Sequence, residues 1–289
     1  MPLHPPVPLQ PPAPSDFPSL VEAFAGTAQA VIDLGSSVRA GDEDLPTHCP
    51  GWTVTDQLRH VESAEAMVFG EPIPEVDVSG YGYVRHSFGE AIERYVESRR
   101  GRSLPEVVSD LSATIAQRMA ILRDPMTTAE DSVVGPFGPS SLEDLIAVRT
   151  FDIWFHEQDL REALGRPGGL DTPAAAHALA RTFAVFGRVV ARDAAIAPGH
   201  AVVLESSGPV TGRVGARVEI GEDGKARGIP LFTGDARPHE DVPTTSIHLS
   251  TRDLMRRAGG RLSTDEVHWS AEGDQDVALR VLDALAITP

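Results

Sequence analysis

The sequence predicts an α+β protein: a bundle of helices followed by a smaller α/β domain. Two changes of texture carry that expectation. From Phe17 to about Asp193, apolar residues recur at helical spacing in segments separated by Pro- and Gly-rich breaks. Beyond Pro198 the runs HAVVLESS, GRVGARVEIG and TTSIHLS are short, β-branched and split by Gly, as strands are. The 289 residues suffice for two ordinary domains with cores that need no disulfide staples. The expected division is a Pro-rich arm over 1–16, a helical bundle over 17–195 and an α/β domain over 196–289.

The arm, MPLHPPVPLQPPAPSD, holds too much proline for helix or sheet and reads as polyproline-like. Leu20, Phe24, Ala28, Val31 and Leu34 then fall at helical spacing between Phe17 and Arg39. After the loop GDEDLPTHCPGW, Thr53 caps a second helix with Asp56 as capping-box partner, and Val54, Leu58, Val61 and Met67 form its apolar stripe. Residues 72–85 read as a loop, 86–100 and 104–123 as helices, with Pro105 in a first turn where its missing N–H costs nothing. Pro125, Pro136 and Pro139 mark 124–140 as a loop. Ser141 and Asp144 open a helix that runs through Leu145, Val148, Phe151, Ile153, Phe155 and Leu160 to the stop GRPGG at 165–169. Thr172-Pro173 starts one more, reaching about Asp193. In the second domain a short helix, Thr251–Ala258, ends at Gly259-Gly260, EVHWSA reads as a strand, and QDVALRVLDALAI as a terminal amphipathic helix.

Charge excludes some functions. With 42 acidic against 25 basic side chains the net charge is −17, which repels phosphate backbones and anionic membranes, so neither nucleic acid nor membrane is an expected partner. The N-terminus lacks a secretory pattern and no apolar run approaches the length of a membrane span, so the expected location is cytoplasmic. Cys49, the one cysteine, has no intramolecular disulfide partner. It reads as a buried or bystander thiol, since nothing near it in sequence depresses its pKa.

The chemistry concentrates in Asp152-Ile153-Trp154-Phe155-His156. Residues at i and i+4 share a helix face, so Asp152 and His156 can converge on one ion, with His60 on an earlier helix as the third ligand. Two imidazoles, one carboxylate and open positions suit Zn²⁺ or non-haem iron. The bland alternative is an Asp–His hydrogen bond or surface pair, with Glu157 and Asp159 on a solvated face. His48 and His86 lie in or beside loops, and Glu62 and Glu65 fall largely off the His60 face. No zinc-protease, nucleophile-elbow or phosphate-loop pattern occurs.

The segments LPTHCPGWTVTDQLRHV and RTFDIWFHEQDLREALGRPG together resemble the two signatures of the mycothiol-dependent maleylpyruvate isomerase family, within the DinB-like group. The resemblance implies an up-and-down DinB-like four-helix bundle holding a divalent metal, most often Zn²⁺, and a small SCP2-like α/β domain behind it. It implies His60, Asp152 and His156 as ligands, although that family's isomerase carries Glu where Asp152 stands, so its reaction transfers less directly than its fold. It also implies mycothiol as a low-molecular-weight thiol cosubstrate and a small electrophilic molecule as substrate. In isomerisation the thiol adds, allows rotation about the former double bond, and leaves; in S-transfer it stays. Arg261, after the AGG turn, is the candidate substrate-binding residue, with a surface or capping role as its alternative. Arg149 and Arg161 read as interhelical ion pairs.

The leading expectation is a metal-dependent, thiol-dependent isomerase or transferase, as a monomer or homodimer. A non-catalytic metal- or ligand-binding regulatory module is the second reading. A metal-dependent hydrolase is the third, and it would need Glu62 or Glu65 as acid or base.

Overall fold

The computed structural model describes residues 11–232 and 242–288. The arm predicted over 1–16 lies largely outside them. The described chain forms two compact units, Pro14–Gly169 and Leu170–Thr288.

The first unit holds α1 (Phe17–Ser36), α2 (Val54–Val68), α3 (Ser87–Glu97), α4 (Leu104–Leu122), the strands β1 (Ser132–Gly135) and β2 (Gly138–Ser141), and α5 (Leu142–Ala163). The starts are written in short polar side chains. Asp16 caps α1 through the Ser19 amide, Thr53 and Asp56 form the expected capping box of α2, and Ser141 takes the Asp144 amide at 3.1 Å. Helices α1, α2, α4 and α5 close around one core, with α1 against α5 and α4, and α2 against α4 and α5; α3 lies along α2. Phe24, Val31, Leu58, Val61, Leu111, Ile146, Ile153 and Leu160 fill it. The loop expected over 124–140 contains the β1–β2 hairpin, in which Val133 pairs with Ser140 and Gly135 with Gly138. Three prolines hid it; in a two-stranded ladder both strands are edges, where the missing N–H of Pro139 is tolerated.

The second unit holds α6 (Pro173–Ala184), α7 (Phe186–Arg188), a π turn (Val189–Asp193), β3 (Ala201–Ser207), β4 (Thr211–Ile220), β5 (Ala226–Pro230), β6 (Thr244–Leu249), α8 (Thr251–Ala258), β7 (Trp269–Glu272) and α9 (Gln275–Asp283). The helix beginning at Pro173, read from sequence as the bundle's last, packs here with the sheet. Gly187 lies so close to Gly228 of β5 that neither has room for a Cβ. The strand order is β5-β4-β3-β6-β7, antiparallel except for the β3–β6 pair. The central β3 is almost wholly buried. Strand β5, sequence ARGIP, carries no strand signal of its own and exists by pairing with the long β4. Of the predicted EVHWSA segment only Trp269–Ala271 is extended, in a strand that runs on to Glu272, and the terminal helix stops at Asp283.

No described helix is long and apolar enough to cross a membrane.

Candidate metal centre

Because α2 and α5 are neighbours in the bundle, one face of each contributes to a single cluster. Helix α2 supplies His60 and α5 supplies Asp152 and His156, with donor atoms of all three within 4.8 Å of one another. His60 Nε2 is 3.5 Å from Asp152 Oδ2, and His156 Nε2 is 3.5 Å from Asp152 Oδ1. The two imidazoles meet edge to face with centroids 4.4 Å apart. Donors on a tetrahedral Zn²⁺ with bonds of about 2.0–2.1 Å stand about 3.3 Å from each other, close to the separation of each imidazole from one of the two Asp152 oxygens. The other ring nitrogen of His60, Nδ1, is buried and has no hydrogen-bond partner among the described residues. The two histidine side chains are 7% and 6% exposed and that of Asp152 is 30% exposed, so the cluster opens to solvent on the Asp152 side.

Electrostatics divides the three groups. Burial, reinforced by the charge of His156, drives His60 down to about 4, so it is neutral near pH 7. Burial pushes the Asp152 carboxyl up, but Arg149, His156 and His60 outweigh it and hold Asp152 well below the ordinary carboxylate range. Burial likewise opposes the charge on His156, yet Asp152, with hydrogen bonds that the ring makes to Asp159 and Cys49, raises it well above the usual histidine value. The metal-free cluster is thus a neutral His60, an Asp152 carboxylate and a His156 imidazolium.

The CPGW turn closes one side. Pro46 bridges to Thr53, the Thr47 N–H donates to the Trp52 carbonyl at 3.0 Å, and the Trp52 N–H donates to the Cys49 carbonyl at 3.1 Å. Gly51 has φ +79°, and a Cβ there would overlap the Tyr83 ring. The turn lays the Trp52 indole against both imidazoles, with centroids 5.0 Å from His60 and 6.1 Å from His156. The indole N–H donates to Glu93 at 2.8 Å, and Glu93 is also bound by Tyr83 and Arg100.

Around this cluster lies a set of residues that periodicity did not single out. Gln57 Oε1 sits 2.5 Å from His156 Nδ1, and Asp159 Oδ2 is 3.4 Å from the same nitrogen. Cys49 Sγ approaches Asp159 at 3.4 Å, so Cys49, His156 and Asp159 form a second donor group sharing His156. A neutral imidazole has one bare nitrogen, so it cannot serve both groups at once. Behind Asp152, Arg149 donates from Nη1 to Oδ2 at 2.7 Å and from Nε to Glu65 at 2.7 Å; Glu65 also accepts from Arg118 at 3.1 Å. Glu65 is fully buried and both arginines nearly so.

The other sequence candidates separate from the cluster. Glu62 pairs with Arg99, and Glu65 is held by two arginines, so neither faces the donors as a free acid or base. His86 caps α3 through Nδ1, accepting from the Gly89 amide. His48 lies 3.8 Å from Glu162. Glu157 and Asp159, a solvated face in the bland reading, are buried; Glu157 is bound by Thr27 and Arg161. Arg149 is the expected interhelical pair, and Arg161 pairs within its own helix. Arg261 belongs to the second unit, where its Nη1 donates to the Gly259 carbonyl at 2.7 Å.

Comparison with known proteins agrees with this architecture. Two solved structures superpose with a TM-score of 0.53 at 15% identity, each covering 88% of this chain and 92% of the other. They are a mycothiol-dependent maleylpyruvate isomerase and a histidine-to-alanine mutant of it. At that identity the likeness speaks for the fold. No curated protein matches the sequence. Residues 24–161, which contain all three clustered donors, match the mycothiol maleylpyruvate isomerase N-terminal domain model.

Proposed function

We propose that this protein is a metal-dependent, mycothiol-dependent enzyme that isomerises a small electrophilic substrate or transfers the thiol to it. The divalent ion, Zn²⁺ by the nitrogen and oxygen donor set, is held by His60, Asp152 and His156. The observation that carries this reading is the convergence of two buried imidazoles and a partly exposed carboxylate from two helices, with donor atoms within 4.8 Å of one another. Bound there, zinc would favour a thiol in its thiolate form near neutral pH.

The chain's own groups decide what else can bind. The charges of Asp152, Arg149, Glu65 and Arg118 cancel, so a divalent ion leaves the cluster positive even with Asp159 beside it, and an anionic ligand is favoured over a neutral one. His60 and His156 offer Nε2 to the ion from the closed side, Trp52 shields the imidazole faces from water, and the open side beside Asp152 is left for thiol and substrate. Thiol chemistry is favoured over hydrolysis because Glu62 and Glu65, the acids nearest in sequence to His60, are committed to arginines. Arg261 remains the proposed contact for a substrate carboxylate.

The experiment is metal analysis of protein purified without chelator, followed by a thiol-dependence assay. About one equivalent of zinc is expected, lost in His60→Ala, together with consumption of an unsaturated diacid or another electrophile only when mycothiol is present. Less than about a tenth of an equivalent of any transition metal, unchanged in His60→Ala, overturns the site. Metal without thiol-dependent turnover across an electrophile panel would instead make the protein a metal-binding module.

A further inference from the structure

We propose that Gln57 is a positioning residue that commits His156 to the metal through Nε2, and that Thr47 of the CPGW turn fixes which way Gln57 points. The inference rests on the metal reading above and follows from a count of hydrogens. Thr47 Oγ1 has one proton and two lone pairs. It lies 3.0 Å from the Trp52 carbonyl oxygen, which can only accept and also takes the Thr47 N–H at 3.0 Å. It accepts from the Cys49 amide at 3.2 Å and from Gln57 Nε2 at 2.7 Å. That set uses the hydroxyl completely, and turning the Gln57 amide round would take the proton away from the Trp52 carbonyl.

With Nε2 of Gln57 tied to Thr47, it is Oε1 that faces His156 Nδ1, at 2.5 Å. Every neighbour of that nitrogen points to the same protonation. Gln57 Oε1 from α2 is an acceptor, Asp159 Oδ2 from α5 is an anionic acceptor at 3.4 Å, and the Cys49 thiol from the turn stands against Asp159. A bare Nδ1 would set its lone pair against two oxygens, so Nδ1 carries the proton. In a neutral imidazole the bare nitrogen is then Nε2, the atom facing Asp152. Metal-bound histidines generally donate their other N–H to such a partner, which fixes tautomer and ring orientation. Gln57 stands three residues before His60, so the helix that supplies one ligand also orients the ligand on α5. The same arrangement reserves Nδ1 and leaves the Cys49–His156–Asp159 group without a nitrogen donor.

Zinc affinity, measured by competition with a chromogenic chelator, tests the proposal together with ¹⁵N NMR of the zinc-loaded protein. Gln57→Met, of similar length with no oxygen, is expected to weaken zinc binding about 10- to 100-fold. Gln57→Glu retains an acceptor and should bind at least as tightly as the parent. Thr47→Val should weaken binding in the same direction and Thr47→Ser should restore it. Circular dichroism confirms that each variant is folded, and the Glu and Ser variants remain informative if Met or Val unfolds the turn. In the parent, the His156 Nδ1 resonance should be that of a protonated nitrogen and Nε2 that of a metal-bound one. Folded Gln57→Met with parental affinity overturns the proposal, as does a protonated Nε2 with zinc on Nδ1. Failure of the metal reading looks different: the parent itself then takes up no zinc, or His60→Ala binds as well as the parent, and the inference falls with it.

Discussion

Its surroundings raise the pKa of His156, whereas the proposed metal site requires its neutral form, and that difference is measurable. Its folded pKa lies above the ordinary histidine value because Asp152 and Asp159 outweigh the burial that opposes its charge. His60 has the opposite shift, down to about 4, and has no proton to lose near neutrality. Zinc uptake near pH 7 is therefore expected to release about one proton, and affinity should fall about tenfold per pH unit below the folded pKa of His156. Calorimetry in buffers of different ionisation enthalpy gives the proton count; an affinity flat between about pH 6 and 8 would contradict it. The sign for stability runs the other way. In the metal-free protein the His156 pairing stabilises fully below its unfolded value near 6.5 and is lost as pH rises through the higher folded one. At this scale the sequence was informative about Asp152, His156 and His60, whose spacing and type carry a signal. It was silent about Gln57 and placed Asp159 only on a solvated face, because the parts of both depend on which hydrogen each neighbour holds.

At the scale of elements, the CPGW turn and the buried ion pairs do the positioning. Gly51 sits at a positive φ with the Tyr83 ring where a side chain would be. Gly51→Ala should cost at least about 1–3 kcal/mol in chemical denaturation and shift Trp52 emission as the indole leaves the imidazoles. Glu65 lies between Arg118 and Arg149 with no exposure. Glu65→Ala leaves two buried guanidinium groups without it, so a loss of about 3–5 kcal/mol is expected, with part recovered on adding Arg118→Met. A surface ion pair would lose less than about 1 kcal/mol, which the same measurement distinguishes. Helix starts were legible because caps are local chemistry: Thr53 with Asp56 and Ser141 with Asp144 stand as read. The β1–β2 hairpin and β5 were not, because their residues become extended only by pairing with a neighbour.

For the whole molecule, the division at Gly169 leaves every donor of the proposed metal site, together with Gln57, Thr47 and the arginine pairs, inside residues 14–169. That unit also contains a continuous apolar core from four helices. Residues 14–169 expressed alone should therefore fold and bind zinc with the affinity of the full chain, as titration calorimetry would read. A fragment that folds but binds at least about tenfold more weakly would show that the ligand set is incomplete there. The sequence by itself determined the α+β class, the helical texture and its caps, and the pair Asp152 and His156, because periodicity and i, i+4 spacing are properties of one helix. Only the tertiary structure decided that His60 meets that pair, that Glu62 and Glu65 turn away to arginines, and that the helix after Pro173 lies with the sheet. It also decided which nitrogen of His156 is bare. Those facts depend on packing between elements distant along the chain, where hydrogen-bond partners and buried charges must be satisfied together.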